Sequence, residues 1–147
     1  MINVYIDGAS RGNPGEAGIG ILIKTGDGDI LFSAAGYCGK MTNNQAEYNA
    51  LIAALTKLKK TPSLISNDNY RTSGPIVVHS DSELLVKQLN GQYKVKEQEL
   101  KKLNHKVTEL LRSIPAKIDF KHVRRELNRE ADRLANTGID SKVPLVI

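Results

Sequence analysis

Four acidic residues stand where a carboxylate can do chemistry. Asp7 closes the apolar run Ile2-Asn3-Val4-Tyr5-Ile6, and Asp81 closes Ile76-Val77-Val78-His79-Ser80. Glu47 lies within Thr42-Asn43-Asn44-Gln45-Ala46-Glu47-Tyr48, and Asp132 within Asn128-Arg129-Glu130-Ala131-Asp132. A carboxylate at the end of a buried strand is costly unless something compensates its charge. Two strands ending that way, in a chain of pI about 9.3, point to an oxygen-ligand cation site that faces an anionic substrate. Each acid also has a plainer reading. Glu47 and Asp132, placed in first turns of helices, would complement the helix dipole, and Asp81 would cap the helix that begins at Ser82.

The elements that must position these acids can be read from periodicity. Alternation over residues 2–7 predicts a strand, followed by a turn-rich loop at Gly8-Ala9-Ser10-Arg11-Gly12-Asn13-Pro14-Gly15. Gly18 to Lys24 predicts a second strand, and Asp27-Gly28 a hairpin into a third through Leu31, Ala35 and Cys38. Asn43 or Asn44 is the expected cap of a helix with apolar positions Ala46, Ala50, Leu51, Ala54, Leu55 and Leu58, ended by Pro62. Residues 61–75 read as a long surface loop that should tolerate shortening. A fourth strand over 76–80, a short helix from Ser82 and an amphipathic helix over 97–114 follow. A fifth strand over 117–123 leads to a last helix from near Asn128 to Thr137-Gly138. This order predicts an α/β fold, a mixed sheet with helices on its faces, in one domain spanning 1–147. If the first and fourth strands are neighbours, Asp7 and Asp81 lie side by side.

Composition narrows the partners. The 147 residues carry a net charge of +5, which permits nucleic-acid binding without demanding it. Trp is absent and aromatics are 5%, so a base-stacking platform is a weak expectation. The single cysteine, Cys38, excludes an internal disulfide and reads as a small core residue. No targeting segment or membrane span is visible, so a complete cytoplasmic chain without a membrane partner is expected.

The four acids with their flanks resemble type 1 ribonucleases H. The resemblance rests on Asp7-Gly8-Ala9-Ser10 with Gly12-Asn13-Pro14-Gly15, Thr42-Asn43-Asn44 with Glu47, Ser80-Asp81-Ser82, and Asn128 through Asp132 with Leu134-Ala135. These motifs stand in family order and cover nearly the whole chain. The resemblance implies a ribonuclease H-like fold, a five-stranded mixed sheet in order 3-2-1-4-5. It also implies endonucleolytic hydrolysis of the RNA strand of RNA–DNA hybrids, by a monomer. Asp7, Glu47, Asp81 and Asp132 take the places of the family's catalytic, metal-binding carboxylates. Two Mg2+ ions about 3.5–4 Å apart are the expected cofactors, with Mn2+ as a substitute. Double-stranded RNA is a second candidate substrate, and a catalytically silent hybrid-binding module the alternative function.

Substrate contacts are expected from Gly8, Ser10, Asn13, Thr42, Asn43 and Asn44, several of which would otherwise serve only as turn or cap. The chain departs from many relatives in having no Gly- and His-containing loop before the last acid. His122 stands ten residues before Asp132, but its alternation with Ile118 and Phe120 places it on the packed face of the sheet. Arg124 or Arg125 is therefore the expected phosphate contact. The basic protrusion of some relatives is also missing, as in the compact archaeal and bacterial subgroup.

Overall fold

Apolar alternation and helical stripes produce nine regular elements in this computed structural model, which describes residues 1–65 and 75–147. They are β1 (Ile2–Gly12), β2 (Gly15–Thr25), β3 (Ile30–Met41), α1 (Asn43–Lys60), β4 (Ile76–Ser80), α2 (Glu83–Leu89), α3 (Gln98–Ser113), β5 (Ile118–His122) and α4 (Arg129–Ser141). Short 3-10 turns occupy Pro62–Leu64 and Arg125–Leu127. Most of the expected 61–75 loop, with its tolerance to shortening, lies outside the described residues.

The sheet runs β3-β2-β1-β4-β5, in the expected order. β1, β2 and β3 are antiparallel neighbours, and β4 lies parallel to both β1 and β5. One face packs on α1, whose expected apolar positions are all buried, with α3 behind it through Leu100 and Val107. The other face packs on α4 over β2 and β3.

Three expectations need correction. β1 does not end at Asp7: it continues to Gly12, which pairs with Gly15, so the acid sits within a strand. The Gly- and Pro-rich residues supply only the hairpin tip, where Gly12 holds φ +108. α1 is capped by neither Asn43 nor Asn44. Thr42 Oγ1 accepts from the Gln45 amide at 3.2 Å while Gln45 Oε1 accepts from the Thr42 amide at 2.9 Å, a reciprocal capping box. α4 does not stop at Gly138, which serves close packing instead: a Cβ there would overlap the backbone of Gly36.

Candidate active site

The parallel register pairs Ile6 with Ser80, so the next residues, Asp7 and Asp81, emerge together. Two glycines then bring the helices in. A Cβ on Gly8 would overlap the backbone of Ala46 and Glu47 in α1, and one on Gly20 would overlap the Ala131 carbonyl in α4. Gly20 is the cross-strand partner of Asp7, and Ala131 precedes Asp132. Backbone contacts at Gly8 of β1 and at Gly20 of β2 therefore set Glu47 and Asp132 beside Asp7.

Carboxylate oxygens of Asp7, Glu47 and Asp81 all lie within 4.8 Å of one another. Asp132 lines the same cleft, about 240 Å³ in volume, together with Asn43 and Arg125. Asp7 and Glu47 are only 4% and 3% exposed. That excludes the reading of Glu47 as an exposed dipole partner, and it sits in the second turn of α1 rather than the first. Asp81 is not the cap of α2 either, since Ser82 Oγ accepts from the Leu85 amide at 3.2 Å.

Burial pushes the Asp7 carboxyl up to about 8, helped by the charges of Asp81 and Asp132. Glu47 is raised well above the usual carboxylate range by burial and then by Asp7 and Asp81, although the Gly8 amide opposes this. Burial also raises Asp81, against the pull of the Arg125 guanidinium. Glu47 Oε2 is buried without a hydrogen-bond partner among the described residues. Crowded, raised carboxyls with a spare oxygen form an oxygen donor set. The cluster can coordinate divalent cations, and an all-carboxylate set suits hard ions.

The remaining sequence candidates fall into different places. Gly8 directs its amide to Glu47. The single Ser10 hydroxyl proton has two carbonyl acceptors within reach, Met41 at 2.9 Å and Gly12. Asn13 Oδ1 accepts from the Asn43 amide at 3.0 Å, so it satisfies the start of α1 beside Thr42. Asn44 faces a separate groove lined by Gln88, Tyr93 and Lys94. Both arginines are exposed, but they separate at the cleft: Arg125 is part of its lining and Arg124 is not.

His122 is exposed, contrary to the expected packed face. Its strand lies at the sheet edge, where Ile118 and Phe120 are themselves only half-buried. His79 is buried, stacked on Tyr5 at 4.5 Å and bonded to Asn3, and His105 is an exposed partner of Glu109. Cys38 packs half-buried at the core edge, with its thiol pushed up to about 11 by burial.

Two polar residues beside the acids received no role in the sequence reading. Tyr48 donates to Gln88 Oε1 at 2.6 Å and accepts from Asn104 at 3.4 Å, locking α1 to α2 and α3. Asn128 reaches the β1 backbone. Their adjacency to the acids within the motifs was the available signal.

Comparisons agree with this geometry. A family model described as reverse transcriptase-like matches residues 5–138. Ribonuclease HI of Halobacterium salinarum is 38% identical over 139 residues, covering 95% of this chain and 64% of that protein. The bifunctional protein Rv2228c of Mycobacterium tuberculosis is also 38% identical over 139 residues, covering 94% of this chain and 35% of its own length. The chain thus spans about two thirds or less of these relatives. The crystal structure of LC11-RNase H1 in complex with an RNA/DNA hybrid superposes with a TM-score of 0.87 at 40% identity, covering 96% of this chain and 98% of that one. Sequence, topology and the converging carboxylates together make this chain a member of the type 1 ribonuclease H family.

Proposed function

We propose that this protein is an endonuclease hydrolysing the RNA strand of RNA–DNA hybrids with two Mg2+ ions. The observation that carries the reading is the convergence of Asp7, Glu47 and Asp81 around an unpartnered buried carboxylate oxygen. Similarity to a ribonuclease H1 crystallised with an RNA/DNA hybrid supports the substrate.

Asp7, central in the sheet, would hold the ions together with Glu47 and Asp81, assigned to the leaving-group side, and Asp132, assigned to the nucleophile side. When bound, the ions would supply Lewis acidity for in-line attack at the scissile phosphate, a role Mn2+ can share. Arg125, at the cleft wall, is assigned to pair with a phosphate oxygen through its planar guanidinium, which stays charged and shuttles no proton. Arg124 is left with an auxiliary contact. Asn13 and Thr42-Asn43-Asn44 gather at the start of α1, where the positive end of the helix dipole favours a phosphate of the hybrid. Gly8 and Ser10 border the RNA side.

The protein is assigned as a monomer acting in the cytoplasm, and no helix among the described residues is long and apolar enough to cross a membrane. Incubation with labelled RNA–DNA, RNA–RNA and DNA–DNA duplexes, with Mg2+ or with EDTA, tests the reading. Cleavage of the RNA strand in the hybrid, with Mg2+ only, is the expected result. Equal cutting of RNA–RNA would widen the substrate to double-stranded RNA, and binding without cleavage would leave a hybrid-binding module.

A further inference from the structure

Asn128 occupies the position before α4, where an asparagine side chain commonly caps. The structure gives it another task. The start of α4 has no side-chain cap hydrogen bond. Instead, Asn128 Nδ2 donates to the Ile6 carbonyl at 2.9 Å, joining segments 122 residues apart. The residue is 2% exposed. Its own carbonyl accepts from the Asp132 amide at 3.1 Å.

One side chain thus grips the residue before Asp7, and the same residue's backbone grips Asp132. Its amide also opposes the rise of the Asp81 carboxyl. Meanwhile Oδ1 is buried without a donor among the described residues. An orphaned buried acceptor is destabilising. A capping asparagine would have used that oxygen on an amide of the first turn. Here the cap is given up and the long-range tie is kept, at the point where β1 and α4 meet beside the acids.

We propose that Asn128 is a positioning residue for the reaction, holding Asp7 and Asp132 in mutual register through its tie to Ile6. The inference rests on the metal-dependent reading above. Partners that orient metal-binding side chains typically carry about 10–100-fold in metal affinity or activity.

The decisive variant is Asn128→Ser. Serine caps a helix as well as asparagine does but is too short to reach Ile6, so it separates capping from tying. The expected result is a fold that persists, kcat lowered by about tenfold or more and half-saturating Mg2+ raised by a similar factor, with KM for the hybrid unchanged. In the substrate-free protein, the rise of the unfolding midpoint on adding Mg2+ should shrink. Leu134→Ala, which loosens α4 without touching either bond, should lower stability yet keep the wild-type Mg2+ half-saturation.

A serine variant with wild-type kcat and Mg2+ dependence would make the tie to Ile6 dispensable for the reaction and overturn the proposal. If that variant does not fold, Asn128→Asp serves in its place: similar in size, it sets an oxygen against the Ile6 carbonyl, and wild-type kcat there would be equally fatal. If wild-type protein cleaves no hybrid, the proposed function fails, while the Mg2+-induced midpoint shift still judges Asn128.

Discussion

Glu47 and Tyr48 are consecutive on α1 and both buried, at 3% and 1% exposure, yet their polar atoms meet opposite fates. The Tyr48 hydroxyl is held by Gln88 and Asn104. Glu47 keeps a buried oxygen with no partner among the described residues and faces two more carboxylates. A satisfied buried network fixes one packing of the helices. An unsatisfied, like-charged cluster is retained against stability, which is how a binding site announces itself in a fold otherwise well paired. Burial alone therefore does not distinguish scaffold from site. The crowding of carboxylates around the unpaired atom does, because His79 Nδ1 is also buried without a partner among the described residues and lies outside the acid cleft.

The strongest way to break this contrast is Asp7→Asn. Turnover should vanish while the fold survives, because the anionic centre of the cluster is lost at constant shape. Near-normal hydrolysis at saturating Mg2+ would remove Asp7 from the mechanism. Without metal, the same variant should be the more stable protein at pH 8. The folded-state value of Asp7, about 8, lies above the ordinary 3.8, so folding favours the protonated carboxyl. That contribution is complete below 3.8 and disappears as pH rises through about 8. Thermal unfolding of metal-free wild type should accordingly shift downward across this window, and Asp7→Asn should flatten the dependence. Equal pH slopes for the two proteins would contradict it.

A smaller effect is expected at Arg125. Loss of a charge-assisted phosphate contact in Arg125→Ala should lower turnover by about tenfold, whereas Arg124→Ala, outside the cleft lining, should change it less. His122→Ala should leave both the unfolding midpoint and turnover near wild type, given its exposure. A large turnover loss at His122 with Arg125 dispensable would return histidine to the mechanism.

The satisfied half of the contrast is sharpened by Tyr48→Phe. Removing the hydroxyl strands Gln88 and should destabilise the fold by about 1–3 kcal/mol, read by denaturant unfolding, while the kcat of the folded fraction stays at the wild-type value. A kcat loss without a stability loss would mean that Tyr48 belongs to the site.

Much of this was legible in the sequence because its signals are local. Strand alternation, helix stripes and the four acid motifs each need only a few consecutive residues, and the parallel pairing of β1 with β4 then brought Asp7 to Asp81 as expected. Thr42 to Gln45 spelled a capping box in plain view, but the neighbouring asparagines are equally good caps by type, so propensity alone could not choose. Alternation placed His122 on the side of Ile118 and Phe120 correctly. It could not say that this side, at an edge strand, is half open. The Asn128 tie and the contacts at Gly8 and Gly20 join residues far apart in the chain, and no local pattern encodes them.

The glycine contacts bear on how this protein can evolve. At Gly39 a Cβ would meet nothing within 4 Å, so only its φ of +75 restricts replacement, and asparagine tolerates that conformation. At Gly8 and Gly20 the obstacle is main chain belonging to another element, which no rotamer change can relieve. Drift at those two positions displaces a whole helix and the acid it carries. Replacement at Gly39, within β3, is therefore a local matter of backbone conformation, whereas a side chain beside Asp7 is expected to cost the alignment of the acids.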